Sequence, residues 1–207
     1  EGEIVVNKSL TLQGYDEATP APVPGSPAPT PGPVGMSTID VSGSDDGVTI
    51  TASNVTVDNF EIVGDDATGY GVYVEGDGVT PLSNITISDN KIHGMGLGDG
   101  DNNVMSFGIL VDSVDSVGPV SSTVSDVTVT GNDIYDLGGG FVAPGVTSVG
   151  FGIVLQNVAG TNSVTGNTFN DLYGNVAIDA VPITLADAAV NVNQDGADFG
   201  NSVIWLI

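Results

Sequence analysis

The sequence predicts an all-β solenoid, a fold in which short strands wind into stacked coils. Four segments repeat one strand–turn–strand pattern, and internal repetition of this kind is typical of solenoids. The copies are Asn54–Ile62, Asn84–Ile92, Asp126–Ile134 and the weaker Ser163–Phe169. Apolar and polar residues alternate within each copy, and this period of two indicates β-strands.

Aligning the copies predicts three columns of side chains that point into the core. Each column collects the residues at one position of the repeat, because equivalent residues of successive coils lie above one another. The columns are Val55, Ile85, Val127 and Asn162, then Val57, Ile87, Val129 and Val164, and then Ile62, Ile92, Ile134 and Phe169. This alignment sets the strand register that all later expectations use.

A second strand is expected after each copy, and loops of unequal length are expected beside these strands. The strands are Gly71–Val74, Gly108–Val111, Gly152–Leu155 and Val176–Ile178. The spacing between copies varies, so the extra residues are predicted to leave one corner of the coil. The loops are Asp65–Tyr70, Gly94–Ser106 and Gly138–Gly150. Such insertions often form the working surface of a solenoid.

The two ends of the chain depart from the repeat. Glu3–Gly14 is predicted to form two strands that open the solenoid, and Glu17–Gly35 is a proline-rich excursion of polyproline II type. This excursion is either a plain surface loop or an O-glycosylated or partner-binding one. The apolar segment Asn201–Ile207 either covers the core as a last coil or forms an interface. Residues 1–207 are therefore interpreted as one domain of about five to six coils.

Composition points to an acidic surface protein. The chain has 26 acidic residues against two lysines and one histidine, a net charge of −24, yet 40% of its residues are hydrophobic. A densely acidic surface stays soluble when salt screens charges, so a halophilic archaeon or salt-adapted bacterium is the expected source. A surface that binds divalent cations is the alternative. The same charge disfavours nucleic acid and anionic membranes as partners.

Other features of the composition bound the cellular context. The chain has no cysteine, which excludes disulfides and thiol chemistry. No apolar run approaches the length of a transmembrane helix, so membrane insertion is not expected. The first residue is Glu1 rather than Met, and we expect a processed product or a part of a longer chain or assembly.

An asparagine recurs at the turn between the second and third columns. Asn90, Asn132 and Asn167 are expected to stack into a hydrogen-bonded ladder, since an amide both donates and accepts. The repeats and this ladder resemble the right-handed parallel β-helix of the pectin-lyase-like superfamily, especially its NosD-like repeat proteins. The resemblance covers Glu3–Asn175. It implies the fold and leaves function open, because the superfamily contains both enzymes and non-enzymatic surface proteins.

The resemblance also implies what an enzyme of this fold would need. Its polysaccharide lyases use calcium and a basic residue, usually Arg or Lys, and its hydrolases use several aspartates with a Gly-His-Gly segment. This chain has no arginine and no such segment, so Lys91 and His93 are the candidates for catalysis. Both are predicted to point outward from one strand.

The register weakens both catalytic candidates. Lys91 is expected to lie between Glu61 and Asp133 of the neighbouring coils, in a charge-neutralising stack that favours the protonated amine and opposes a role as general base. His93 is expected to stack between Val63 and Tyr135, with no serine or cysteine nucleophile beside it. A pair of carboxylates that hydrolyses glycosides is a further alternative.

Two kinds of modification or ligand site are predicted in addition. Asp99, Asp101 and Asn103 place oxygen ligands at alternate positions of a glycine-containing loop. This loop opens like an EF-hand but lacks its later glycine and bidentate glutamate, so it is either a structural calcium site or a solvated loop. Three sequons offer possible glycosylation sites, or else merely reflect the repeat pattern. They begin at Asn7, Asn54 and Asn84.

These observations favour a non-enzymatic extracellular or cell-surface β-helix with a structural, adhesive or assembly role. Its loops are expected to contact a polysaccharide or a surface protein, and its coil ends could self-associate. The alternative is a calcium-dependent polysaccharide lyase or glycosidase, or a fragment of one. No organic cofactor is expected, and calcium is the one possible ion.

Overall fold

The described chain is built entirely from β-strands that wind into coils. A computed structural model describes residues 2–15, 35–96, 105–113, 123–138, 140–143, 146–172, 177–180, 183–186 and 205–206. All regular secondary structure in these residues is β-strand, so the all-β prediction is confirmed. Each coil contributes strands to three parallel sheets, which we call face 1, face 2 and face 3.

The strands are numbered in chain order. Face 1 contains β2 (Leu10–Gln13), β5 (Val55–Asp58), β8 (Leu82–Ser88), β11 (Val124–Thr130), β15 (Asn162–Thr165) and β18 (Ile183–Ala186). Face 2 contains β3 (Ser37–Asp40), β6 (Phe60–Val63), β9 (Lys91–Met95), β12 (Asp133–Leu137) and β16 (Thr168–Leu172). Face 3 contains β1 (Ile4–Val6), β4 (Asp46–Ile50), β7 (Tyr70–Gly76), β10 (Met105–Ser113), β14 (Val146–Ala159), β17 (Ala177–Ala180) and β19 (Trp205–Leu206).

The predicted register is confirmed on all three faces. Val55 pairs with Ile85, and Ile85 with Val127, along face 1. Ile62, Ile92 and Ile134 follow one another in the same way along face 2. The second strands pair as expected on face 3, where β7, β10, β14 and β17 are successive neighbours. The inward residues of these columns form one continuous buried core.

One predicted loop proves to be a hairpin. Gly138–Gly150 is predicted to be a loop, but β13 (Gly140–Ala143) pairs antiparallel with the first residues of β14. The sequence has strand-forming residues on both sides of Pro144 and Gly145, a dipeptide that favours a turn. The unequal repeat length is therefore absorbed here by an added pair of strand segments.

Some predicted segments lie mostly outside the described residues. Of the proline-rich excursion Glu17–Gly35, only Gly35 is described, and residues 97–104 of the Gly94–Ser106 loop are not described. From Asn201–Ile207 the structure describes only β19, which pairs in parallel with β17. The prediction that the apolar end covers the core or forms an interface therefore stays a prediction.

The three ladder asparagines lie above one another at the turn between faces 1 and 2, and all are buried. The backbone N–H of Asn90 donates to Asn132 Oδ1 at 3.1 Å, and that of Asn132 donates to Asn167 Oδ1 at 2.9 Å. Each side-chain amide also donates to a strand carbonyl of the preceding coil, as Asn132 Nδ2 does to Ile87 O at 2.9 Å. The amides thus satisfy backbone groups that the bend removes from the sheets.

Replacing the central ladder asparagine should destabilise the fold strongly. Asn132→Ala leaves the Asn90 N–H and the Ile87 carbonyl buried without their partners, so we expect the free energy of unfolding to fall by about 3 kcal/mol. Chemical denaturation monitored by circular dichroism measures this change. Asn170→Ala, at an exposed position of β16, is the matched control and should change stability by less than about 0.5 kcal/mol. Equal effects of the two substitutions would contradict the role of the ladder.

Candidate functional site

The two catalytic candidates lie together on face 2. Lys91 pairs in register with Glu61 of β6 and with Asp133 of β12. His93, two residues along β9, pairs with Val63 and Tyr135 in the same way. Because residues i and i+2 of a strand share one side, both basic side chains point outward among these neighbours.

The side chain of Glu61 contacts His93 and not Lys91, its register partner. Its Oε1 lies 3.3 Å from His93 Nε2, and its Oε2 accepts a hydrogen bond from the Thr38 hydroxyl at 3.3 Å. On the other side of Lys91, Asp133 Oδ1 accepts from the Thr168 hydroxyl at 2.6 Å. Within the described residues this histidine–glutamate contact is the only one shorter than 4 Å between a basic and an acidic side chain. The predicted position of Lys91 between Glu61 and Asp133 is therefore confirmed by the register, although within the described residues no carboxylate oxygen lies within 4 Å of its amine.

His93 is held on two sides. Its ring stacks on that of Tyr135, with the centroids 4.5 Å apart and the planes inclined by 8°. Burial raises the pKa of Tyr135, and the negative charges of Glu61, Asp133 and Asp136 raise it further. The tyrosine thus remains neutral across the physiological range, and it serves as a flat packing partner for the imidazole.

A groove lies beside Lys91, at the turn between faces 1 and 2. Its volume is about 390 Å³, within the range of small-ligand pockets. The lining combines carboxylates, amides, one amine and one thioether. The lining residues are Gly35, Met36, Asn59, Asp89, Asn90, Lys91, Gly131 and Asp133. Gly35 is the last residue of the proline-rich excursion and Met36 directly follows it, so that excursion rejoins the solenoid at the groove.

One wall of the groove is made by residues in the left-handed backbone conformation. Asn59, Asp89 and Gly131 occupy the same position in successive turns, with φ of 61°, 52° and 69°. Asparagine, aspartate and glycine are the residues that adopt this conformation most readily. A Cβ at position 131 would meet Asp89 Oδ1, so the Asp89 side chain would have to move if glycine were replaced. The Asp89 carboxylate therefore packs over Gly131 in the lining of the groove.

Face 3 carries a row of stacked aromatic rings on its outer side. Tyr70, Phe107 and Phe151 are in register, with ring centroids 5.5 and 5.4 Å apart, and Tyr73 stacks on Tyr70 at 4.9 Å. All four rings are partly exposed. Each in-register ring precedes a glycine that faces the core. These glycines are Gly71, Gly108 and Gly152, and a Cβ on any of them would collide with the core of face 2.

Carboxylates with perturbed ionisation border the rings. Burial raises the pKa of Asp46 and of Asp112, and nearby negative charges raise that of Asp46 further. Burial and neighbouring carboxylates raise the pKa of Tyr73 to about 12. Groups with perturbed pKa values often mark functional surfaces, although here they share one cause, partial burial on an acidic face.

The two carboxylates with raised pKa values do not form a glycosidase pair. Asp46 pairs with Tyr70, Tyr70 with Phe107, and Asp112 lies five residues beyond Phe107 on β10. Two strand spacings and five residues of extended chain separate them by roughly 19 Å. Inverting glycosidases hold their carboxyl groups about 6.5–9.5 Å apart and retaining ones closer.

The predicted glycosylation sites lie in the described part of the chain, whereas the predicted calcium ligands do not. Asn54 and Asn84 are exposed with φ of 57° each, and Asn84 Nδ2 donates to Asn54 Oδ1 at 3.2 Å. Glycans on both would compete for one space. Asn7 is exposed before β2. The calcium candidates, Asp99, Asp101 and Asn103, lie outside the described residues. Among the residues that are described, no group of three or more acidic or histidine side chains is arranged to hold a metal.

The stacked parallel coils, the three faces and the asparagine ladder define a right-handed parallel β-helix. The sequence profile of the family described as "Right handed beta helix region" matches residues 34–202. The chain therefore belongs to this family, and the predicted fold is confirmed. No curated protein and no solved structure matches it significantly. The described part of the chain has no helix that is long and apolar enough to cross a membrane.

Sequence reasoning missed the groove and the aromatic row. A repeated aromatic–glycine–aliphatic pattern, at Tyr70–Val72, Phe107–Ile109 and Phe151–Ile153, could have revealed the row. The groove had no comparable pattern, because its lining comes from several coils and includes a turn that the proline-rich excursion interrupts.

The raised pKa of Asp112 predicts a pH-dependent effect on stability. Because this pKa is higher in the folded state, the contribution of Asp112 is fully present below its unfolded pKa of about 3.9 and is lost as the pH rises through the folded pKa. Asp112→Asn should therefore be more stable than the wild type at pH 7, by less than about 1 kcal/mol since the group is partly exposed. Near pH 3 the difference should vanish.

Thermal unfolding at the two pH values measures this effect. Asp66→Asn is the control, because Asp66 lies at an exposed turn. It removes one negative charge from the acidic surface but no buried carboxylate, so its effect measures the gain that comes from lower net charge alone. An equal gain in both variants at pH 7 would attribute the effect to net charge and not to burial of Asp112.

Proposed function

We propose that the protein is a non-enzymatic extracellular or cell-surface β-helix that binds a saccharide at the groove beside Lys91. The observation that carries this proposal is the mixed lining of the groove. It places the Asp89 and Asp133 carboxylates, the Asn59 amide and the Lys91 amine around about 390 Å³ of open space. Sugar hydroxyls both donate and accept hydrogen bonds, and this lining offers partners of both kinds.

The charge of the protein restricts the class of saccharide. With a net charge of −24 and only two lysines in the chain, the surface repels uronic acids and sulfated sugars. A neutral or amino sugar meets no such barrier, and an amino group would gain from Asp89 and Asp133. The Met36 side chain adds an apolar contact for the carbon-bound hydrogens of a sugar ring.

The contacts of the basic residues favour binding over catalysis. A lyase needs a basic group that takes a proton from carbon, and Lys91 lies in register between two acidic residues. His93 is occupied by Glu61 and stacked on Tyr135. The solenoid then serves as a rigid support that presents the groove, the aromatic row and the adjoining loops.

Removing the amine of Lys91 should weaken binding. We expect Lys91→Ala to raise the Kd for the best ligand roughly tenfold, since a hydrogen bond to a charged group contributes about 1.5–3 kcal/mol. A panel of neutral, amino and uronic-acid oligosaccharides identifies the ligand, and isothermal titration calorimetry measures the Kd. Asp89→Asn should weaken binding of an amino sugar while keeping the backbone conformation, which asparagine also adopts.

The control uses the only other lysine. Lys8→Ala removes the same charge from an exposed site far along the chain from the groove and should leave the Kd unchanged. Failure of the wild-type protein to bind any member of the panel would refute the proposal. Release of shortened or unsaturated products that stops in Lys91→Ala would instead establish the lyase alternative.

A further inference from the structure

The outer side of face 1 carries an uninterrupted column of hydroxyl side chains. Successive strands contribute one residue each, and every neighbouring pair is in register. The column consists of Thr11, Thr56, Thr86, Thr128 and Ser163. A second outward column lies two residues further along each strand and consists of Gln13, Asp58, Ser88, Thr130 and Thr165.

The hydroxyls of the first column have no partner in the described protein, whereas the second column is bonded internally. Ser88 donates to Asp58 Oδ1 at 2.6 Å, and the hydroxyls of Thr130 and Thr165 lie 3.0 Å apart. No hydrogen bond joins the side chains of the first column to any described residue. These hydroxyls are therefore available to solvent or to a ligand.

Strand propensity alone does not account for the column. Threonine suits any outward strand position, and all three faces present such positions. On face 2 the corresponding column contains Glu61, Lys91 and Asp133, and on face 3 it contains Asp46 and three aromatic rings. The first column of face 1 carries no charge, in a protein whose net charge is −24. Face 3 also has an uncharged outward column, Thr49, Tyr73, Leu110 and Val154, but that column is mostly apolar and aromatic, whereas the column on face 1 consists of hydroxyl side chains alone.

The array is regular in two directions. Neighbouring hydroxyls follow the strand spacing of about 4.8 Å along the solenoid axis, and the two columns lie about 6.7 Å apart. Four such spacings give a flat strip about 19 Å long. The asparagine ladder keeps the coils in register, and side-chain ladders of this kind hold a sheet flat. The hydroxyl groups of the strip therefore repeat at a fixed spacing along the solenoid axis.

We propose that this hydroxyl column is an ice-binding surface. Rows of oxygen atoms in hexagonal ice repeat at nearly the strand spacing, so each hydroxyl can take the place of one lattice water. The threonine methyl groups between the hydroxyls exclude mobile water, which leaves the bound water layer ordered. The lack of charge matters because an ionised side chain holds its own hydration shell. A saccharide would instead need stacking rings or planar polar groups, which this column lacks.

The proposal is tested with a single ice crystal in a dilute protein solution. The wild-type protein should separate the freezing from the melting temperature and should suppress recrystallisation of polycrystalline ice. Thr86→Tyr and Thr128→Tyr place a ring in the middle of the strip and should lose most of this separation. Thr128→Val keeps the shape and strand propensity of the side chain but removes its hydroxyl. This variant should lose part of the separation between the freezing and melting temperatures.

Thr38→Tyr provides the matched control, because Thr38 is an exposed strand residue on face 2. It should keep the full separation of freezing and melting temperatures. Circular dichroism and thermal unfolding verify that each variant is folded, and Thr128→Val keeps the test valid if a tyrosine variant misfolds. Absence of any effect in the wild type, or an equal loss in Thr38→Tyr, would overturn the proposal.

Discussion

A ladder of three buried amides, one in each of three successive coils, fixes the register of the strands around it. At the turn between faces 1 and 2 the chain bends out of the sheets, and the bend would leave backbone groups buried without partners. Asn90, Asn132 and Asn167 satisfy those groups and bond to one another across coils. The cost of an unmade buried hydrogen bond, about 1–3 kcal/mol, makes any slip of one coil against the next unfavourable. All outward columns inherit this register.

The sequence predicted the strands and their pairing, which the packing of the core determines. It did not predict the contacts of outward side chains that have several possible partners. Inward positions accept only apolar residues of similar size, so the pattern from Val55 to Val164 revealed the strands and their pairing. Outward positions share the register but not the contacts. Lys91 lies opposite Glu61 as predicted, yet Glu61 bonds to His93 and Thr38, since rotamers on an exposed face respond to every neighbour within reach. The groove was unpredictable for the same reason, because its lining converges from separate coils.

The three faces differ because the same backbone carries different outward chemistry. Face 2 places the positive charge of Lys91 among carboxylates, which lowers the local repulsion of an acidic protein. Face 3 carries a row of rings on its outer side, and burial on the same face raises the pKa of Asp46 and Asp112. Face 1 keeps charge out of its first column. A solenoid permits this separation because each face depends on the shared core and hardly on the outer side of its neighbours.

The groove lies at the end of the asparagine ladder, next to Asn90. In the coil before Asn90 the ladder position is occupied by Phe60, whose backbone N–H donates to Asn90 Oδ1 but whose ring cannot continue the chain of amides. The coil before that is interrupted at the same turn by the proline-rich excursion. Asn59 instead donates to the Gly14 carbonyl at 3.3 Å, and the space beside this substitute contact is the groove. Among the described residues, the groove thus lies beside the turn at which the ladder stops.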